Sequence, residues 1–412
     1  MEAFDTHGAH APDSMVAGLT ARWHDSLDTI AAPAWDALLD GVPGARPFLT
    51  HNWLKALTDH GCAAPDTGWQ PLYLTLEDAD GRLWAACPLY LKAHSYGEYV
   101  FDWSWADAHD RALAAQGHRY YPKLVSAVPF SPIPGQRLLT APGATEARCH
   151  ALRARLLAAV RARCTQEGWS GAHLLFLSEA EAGQACQAGW LVRHGVQFHW
   201  LNRSPAPYAD FDDFLSSLHR DKRKKIQQER RKVREAGVSF SVLEGQCIRP
   251  QDWAFFYGCY ARTYLEHGQH PYLSRDFWMA VGANAPEHWV MFVAEMHGEP
   301  VAASLVALDH QTGTAYGRYW GSMAQVSCLH FEACYYQPLA WCIARGMARF
   351  EGGAQGEHKL ARGLLPVGTR SAHWLAHDGL RTAVADFLGR EDAGLSHYVN
   401  ELNDRMPFKP QD

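Results

Sequence analysis

Leu72-Tyr-Leu-Thr-Leu-Glu77, a turn through Asp78 to Gly81 and the run Leu83 to Leu91 return 219 residues later as Met291-Phe-Val-Ala-Glu295, a turn around Gly298 and Val301 to Leu308. Apolar runs on either side of a glycine-containing turn predict a β-hairpin, so the chain encodes the same hairpin twice. Three further matches keep its order and nearly its spacing. Ile30-Ala-Ala-Pro33-Ala-Trp35 recurs as Ile248-Arg-Pro250-Gln-Asp-Trp253. Pro47-Phe48-Leu49-Thr50 with Trp53 recurs as Pro271-Tyr272-Leu273-Ser274 with Trp278, and Tyr96-Gly97-Glu98-Tyr99 as Tyr316-Gly317-Arg318-Tyr319. The offsets are 218, 224 and 220 residues. Self-similarity at domain length means a duplicated domain, and Thr50 and Ser274 each stand where a hydroxyl caps a following helix.

Further on the register changes. The helix pattern Ala147 to Gly168, followed by a strand-like Ala172 to Leu177, corresponds to Leu329 to Gly346 followed by Ala348-Arg349-Phe350, at a lag of 178. Gly168 and Gly346 both sit where a left-handed C-terminal cap belongs. The first half therefore carries an insert of about 40 residues by this change of lag, running through Asp102-Trp-Ser-Trp105, Arg119-Tyr120-Tyr121-Pro-Lys123 and Pro129 to Gly135. Aromatic and charged residues at that density fit a binding loop or a Pro-rich surface flap.

The order strand, helix, helix, hairpin, strand, helix, strand predicts an α/β (α+β) protein of two tandem domains, each a mixed twisted sheet flanked by helices. The expected boundaries are a tail at 1–20, a first domain at 21–201 with an inserted aromatic loop at 94–137, a crossover linker and basic helix at 202–236, a second domain at 237–390 and a tail at 391–412. The 412 residues, 47% hydrophobic and 20% charged, supply two packed cores and exclude global disorder. The acidic start, Met1 to Thr20, lacks the basic flank and apolar run of a secretory signal, and no 18-residue apolar stretch occurs, so a cytoplasmic protein without a transmembrane segment is expected. Ten cysteines form no Cys-x-x-Cys pair. The spacings His267/His270, His330/Glu332 and His373/His377 make no metal constellation, so no metal site is expected.

Arg220 to Glu235 holds nine Lys or Arg against three carboxylates, +6 in a chain of net −6, so the remainder sums to −12. Leu218, Ile226 and Val233 form its apolar stripe. Lys222, Arg223, Lys224 and Lys225 then face either water or a phosphate-bearing partner such as a tRNA end, a CoA phosphate or a lipid-linked pyrophosphate. Two segments of the second half concentrate chemistry. On the predicted helix after the fourth strand stand His330, Glu332, Tyr335 and Tyr336. The last three, at i, i+3 and i+4, share one face on which a carboxylate accepts a proton and a phenol donates one. In Gly352-Gly-Ala-Gln-Gly-Glu357-His358-Lys359-Leu-Ala-Arg362-Gly363, glycines allow close backbone approach and Lys359 with Arg362 offers donors. Core packing accounts for the tyrosines equally well.

Lys92-Ala-His94-Ser-Tyr-Gly97-Glu98-Tyr99, Tyr120-Tyr-Pro-Lys123, Lys222 to Val238, His330-Phe-Glu-Ala-Cys-Tyr-Tyr-Gln337 and Gly353-Ala-Gln-Gly-Glu-His-Lys359 together resemble the FemAB-like, GNAT-related proteins of peptidoglycan biosynthesis/recognition, over about residues 20–390. The resemblance implies two GNAT folds in tandem and transfer of an acyl or aminoacyl group to an amine of a small molecule or peptide. The donor in Fem ligases is charged tRNA. The Gln/Arg-x-x-Gly-x-Gly/Ala loop by which ordinary GNAT enzymes hold CoA pyrophosphate precedes neither long helix, which counts against acetyl-CoA as donor; the co-substrate expected is aminoacyl-tRNA or an acyl-CoA, with no tightly bound cofactor. On this reading Glu332 or Glu357 is the base and Tyr336 or Tyr335 the acid, with His330 beside them. Arg318, His358, Lys359, Arg362, Asp102, Tyr120, Tyr121 and Lys123 bind substrate, and Lys222 to Lys225 bind polyanion. The alternative is a non-catalytic protein that recognises a cell-wall peptide or a nucleotide-linked precursor.

Overall fold

The computed structural model describes residues 16–40, 44, 46–353 and 356–409. Residues 1–15 of the expected N-terminal tail, 410–412 of the C-terminal tail, and Ala354 and Gln355 of the glycine-rich segment lie outside the described residues. The first half contributes strands β1 (Thr20–His24), β2 (Trp69–Glu77), β3 (Leu83–Lys92), β4 (Lys123–Ser126), β5 (Leu139–Thr140), β6 (Gly171–Leu177) and β7 (Leu191–Leu201). The second contributes β8 (Val238–Glu244), β9 (Trp289–Met296), β10 (Glu299–Asp309), β11 (Thr314–Ser322), β12 (Arg349–Glu351) and β13 (Leu365–Leu375).

All belong to one mixed sheet, in the order β1-β2-β3-β4-β6-β13-β7-β12-β11-β10-β9-β8 with β5 beside β3. The hairpins β2-β3 and β9-β10 that repeat in sequence hold matching positions from the two edges. Pairing is antiparallel except at β4-β6 and β11-β12. The halves exchange their last strands: β13 lies between β6 and β7, and β7 between β13 and β12. Leu365 to His373 of β13 run antiparallel to His199 to Leu191 of β7, with Thr369 opposite Gly195 at the centre. Separating the halves would strip hydrogen-bond partners from both strands, so each half completes the other's sheet.

Helix His51–Asp59 is capped by Thr50, whose hydroxyl accepts from Trp53 N at 3.2 Å, and helix Arg275–Asn284 by Ser274, which accepts from Phe277 N at 3.3 Å. The two capped helices pack together through Trp53, whose ring lies edge-on to Phe277 at 4.9 Å and stacked on Trp289 at 5.7 Å. One continuous core thus joins the halves across this face. Both predicted glycine stops hold, Gly168 at φ 69° and Gly346 at φ 66°.

Elsewhere the structure differs from expectation. The segment 94–137 contains helix Trp103–Leu113 and strand β4. Trp105, Ala106, His109 and Leu113 give that helix a buried face, which charged neighbours disguise in the sequence. The fourth repeat match fails in space, because Tyr96 to Tyr99 is a turn with Gly97 at φ 81° and β4 occupies the place of β11. Residues 391–403, expected as tail, extend helix Asp378–Asn403. Arg193–Glu391 at 2.7 Å and His194–Asp392 at 2.8 Å tie this extension to β7. No described helix is long and apolar enough to cross a membrane.

Candidate functional site

β11 and β12 pair over only three residues, Thr314 to Tyr316 with Arg349 to Glu351, after which β11 continues to Ser322 while the other chain turns away at Gly352. The opening is widened by a bulge. Leu305 of β10 pairs with Tyr319 and Val306 with Gly317, leaving Arg318 without a cross-strand partner. A pocket of ≈ 270 Å³ occupies the gap, floored by β10 and β11 and ended by Gly352. One wall is helix Pro250–Glu266, through Tyr260, Thr263 and Tyr264. That helix lies so close to β11 that a Cβ at Gly321 would stand 1.9 Å from Cys259 O, so only glycine serves there.

The other wall is the helical run Leu329–Ala344, which contains a π-turn over Glu332–Tyr336. Gln337 N donates to Glu332 O, an i+5 bond that widens the turn, and such turns often accompany functional sites. The widening divides the face predicted for Glu332, Tyr335 and Tyr336. Tyr335, with His330 and Cys334, lines the pocket. Glu332 and Tyr336 instead meet helix Arg220–Glu235: Arg230 Nε donates to Glu332 at 3.1 Å, Gln337 Nε2 donates to the same carboxylate at 2.7 Å, and the Tyr336 hydroxyl donates to Glu229.

The segment after β12 forms a 3-10 helix, Glu357–Arg362, whose side chains diverge. Glu357 lies at the surface, 3.3 Å from Arg405. The His358 ring is 3.2 Å from the Tyr335 hydroxyl. Arg362 donates to Glu229 at 2.9 Å and lies 3.5 Å from the centre of the Phe331 ring. Lys359 is buried at 4% exposure beside the pocket's Gly352 end, and its Nζ donates to Gly353 O at 3.0 Å. Burial, reinforced by the Arg318 charge, brings the Lys359 pKa down to about 7, and burial brings His330 down to about 4. The imidazole is therefore neutral at pH 7 and the amine is poised between its two forms. Arg318 is neutralised by Glu351 at 3.0 Å. The structure thus gathers His330, Tyr335, His358, Lys359 and Arg318 around one pocket, places Glu332, Tyr336 and Arg362 toward the basic helix, and turns Glu357 outward.

Two inward-facing residues of that helix escape the sequence reading. Ile226, Glu229, Arg230 and Val233 follow i, i+3, i+4, i+7 and make its inward edge. The spacing is present in the sequence, but two of the four are charged and read as solvent-facing. On the outer side Lys222 pairs with Asp221, while Lys224, Lys225 and Lys232 are exposed and have no ion pair among the described residues.

In the first half the equivalent opening is filled. β4 and β6 also pair over three residues, but beyond them Gly135 bridges to Leu177, and Ile133 and Arg137 are fully buried in the gap. Asp102, Tyr120 and Lys123, expected at a binding loop, are buried to 2% exposure or less, and Tyr121 is half-buried. Lys123 Nζ donates to Glu98 at 2.8 Å, Asp102 at 2.5 Å and Ser95 at 3.1 Å, and the Tyr120 hydroxyl donates to Asp102 at 2.6 Å. The Tyr121 hydroxyl is 3.0 Å from Ser95 Oγ.

The sequence profile of the FemAB-like family, described as peptidoglycan biosynthesis/recognition, matches residues 26–410. No functionally curated protein matches the chain. Among solved structures, the C-terminal domain assigned to a lysylphosphatidylglycerol synthetase of Agrobacterium fabrum aligns with TM-score 0.50 at 10% identity, over 87% of this chain and 96% of that one. L-PGS of Bacillus licheniformis aligns with TM-score 0.51 at 11% identity, over 86% and 95%. A tandem GNAT protein of the clavulanic acid biosynthesis pathway aligns with TM-score 0.43 at 12% identity, over 87% and 99%. At these identities the first two likenesses are likenesses of fold.

Proposed function

We propose that this chain, which belongs to the FemAB-like family, moves an acyl or aminoacyl group from charged tRNA or acyl-CoA to an amine. The observation that carries this reading is the open strand gap of the second half, with a lysine of pKa about 7 at its end and a tyrosine–histidine pair in its wall. Among the described residues β12 pairs with β11 no further than Tyr316, which leaves that edge of β11 to face a donor carbonyl. The acceptor ammonium gives a proton to neutral Lys359, and its nitrogen attacks the carbonyl carbon. The tetrahedral oxyanion collapses, the C–O or C–S bond to the donor breaks, and the leaving oxygen or sulfur takes the Tyr335 proton, while the second proton of the attacking nitrogen passes through His358 to the Tyr335 phenolate, leaving a neutral amide. Burial keeps that phenol protonated before the transfer. Glu332 and Glu357 are committed to Arg230 and Arg405, which favours Lys359 as base over either carboxylate. Both donors are cytoplasmic, and a peptidoglycan-type amine fits the family's description.

Purified protein incubated with a panel of charged tRNAs or acyl-CoA thioesters and amine acceptors, read by mass spectrometry, tests the reading. An amide product with one donor class supports it, whereas donor or acceptor binding without transfer across the panel establishes the non-catalytic alternative. The basic helix favours charged tRNA, because its exposed cations lie directly behind the pocket wall, linked to it by Glu229 and Arg230. Changing Lys222, Lys224 and Lys225 to glutamine is expected to weaken tRNA binding. It also lowers the slope of log affinity against log salt by somewhat under one unit for each phosphate that the helix no longer neutralises. An unchanged slope would mean that the helix is simply a solvated face.

A further inference from the structure

A transferase requires room for two substrates, and a second cavity of ≈ 350 Å³ lies over the exchanged strands. Its floor is β7 and β13, where Gly195 faces Thr369, and a Cβ at Gly195 would come within 2.9 Å of Thr369 Oγ1. The missing side chain leaves a depression in the sheet surface at its centre. Gln197, Thr369 and Ser371 line it with polar side chains, of which the Gln197 amide also donates to Pro132 O at 2.9 Å and Ser371 Oγ also accepts from Phe176 N at 3.1 Å, and Tyr99, Phe101 and Phe176 supply aromatic walls.

Two connections join this groove to the first pocket. Above, Tyr99 stands in the groove's wall while its phenol interacts with Tyr264 and Arg318, both of which line the pocket. Its backbone is left-handed at φ 62°, a conformation unusual for a tyrosine. Below, a buried polar row crosses from β11 to β7. Arg318 is 3.0 Å from Glu351, Glu351 is 3.8 Å from His199 Nδ1, and His199 Nε2 is 3.1 Å from Gln197 Oε1. His199 Nδ1 and Arg318 Nε, both buried, lack hydrogen bonds among the described residues.

We propose that the β7–β13 groove is the acceptor subsite of the same reaction centre, that it takes an uncharged hydroxyl- and amide-bearing body carrying the reactive amine, an amino sugar or sugar-linked amine, and that Tyr99 stands between this acceptor and the donor pocket. This rests on the transferase reading above. The chemistry selects the class. The one guanidinium in the groove, Arg193, is consumed by both oxygens of Glu391 and by Phe101 O at 2.7 Å, leaving no free cation for a carboxylate. Aromatic faces opposite hydroxyl and amide groups suit a ring with one apolar face and a polar rim.

The test is calorimetric titration of the full chain with glucosamine, in parallel with diglycine, without any donor. Glucosamine is expected to bind and diglycine not. Gly195→Val, which fills the depression, should weaken glucosamine by at least ~10-fold, in line with the effect of added bulk in a fitted pocket. Should Gly195→Val fail to fold, Thr369→Val, nearly isosteric, is expected to lower affinity several-fold while keeping the wild-type unfolding midpoint. Absence of glucosamine binding, equal binding of diglycine, or indifference to all foldable variants overturns the proposal. Binding is measured without transfer, so the two readings fail separately. Glucosamine held in the groove by a chain that transfers nothing defeats the transferase reading, and transfer to amines without glucosamine binding defeats the groove.

Discussion

Lys359→Met lowers turnover by at least ~10²-fold, the scale on which an acid–base group acts, while the fold persists. The reason is the same burial that makes the amine a base. Lys359 is buried, its hydrogen-bond partner among the described residues is one carbonyl, Gly353 O, and the Arg318 charge opposes its ammonium form. Its pKa of about 7 in the folded chain lies below the 10.5 of a free lysine. The unfolded chain therefore binds more protons between those values, and stability contributed at this site rises with pH from about 7 to 10.5. Wild type carries a desolvation penalty at pH 7 that methionine, of similar shape, does not. Lys359→Met is accordingly expected to melt at a higher temperature than wild type near pH 7, with the gap closing toward pH 10. Initial rates of the wild type should climb with pH through about 7 as the neutral amine accumulates. A variant that retains wild-type turnover, or a rate flat between pH 6 and 8, removes Lys359 from the proton transfer.

The parts of the fold legible in the sequence are those set by local backbone chemistry. Two hairpins, the hydroxyl caps Thr50 and Ser274 and the glycine stops Gly168 and Gly346 each express a requirement satisfied within a few residues. The exchange of β7 and β13 is a pairing between strands about 170 residues apart, taking Gly195 with Thr369 as the measure, and no local pattern encodes it. Tyr96 to Tyr99 resembles Tyr316 to Tyr319 in letters, yet Gly97 turns the chain and Glu98 folds inward to Lys123, so likeness of residues does not mean likeness of structure. In the site, the positions of Lys359, Tyr335 and His330 follow from their elements. The separation of Glu332 from Tyr335 does not, because one widened turn changes which residues share a face and leaves no mark in composition. Glu229 and Arg230 are hidden by the rule that charged residues on a charged helix face water. Each is held inward by a partner far along the chain, Arg362 and Glu332.

The cluster in the first half marks the sharpest difference between binding and structural roles for charged residues. Lys123→Met is expected to cost about 3–5 kcal/mol of folding stability, the range for removing one partner of a buried ion pair. Glu98 and Asp102 would face each other without the ammonium that bridges them, in a site where all three are at most 2% exposed. Burial pushes the Asp102 carboxyl up, but Lys123 holds it below its ordinary range, while burial leaves Glu98 at about 7. The lowered Asp102 pKa contributes stability above pH 3.8 that is lost as pH falls through the folded value. Glu98 works in the opposite sense, favouring the folded state below 4.5 and losing that advantage as pH rises toward about 7. The deficit of Lys123→Met should therefore be greatest near neutral pH, where both carboxylates seek their charged forms, and should shrink as acid protonates them. Urea midpoints measured from pH 3 to pH 8 read this directly, and adding Glu98→Gln to Lys123→Met should recover part of the loss. If Asp102, Tyr120, Tyr121 and Lys123 instead line a substrate site, as their sequence context suggests, Lys123→Met would keep the wild-type midpoint and lose ligand affinity. The filled gap at Ile133 and Arg137 argues for the structural outcome, because these side chains occupy the space that the second half leaves open for a substrate.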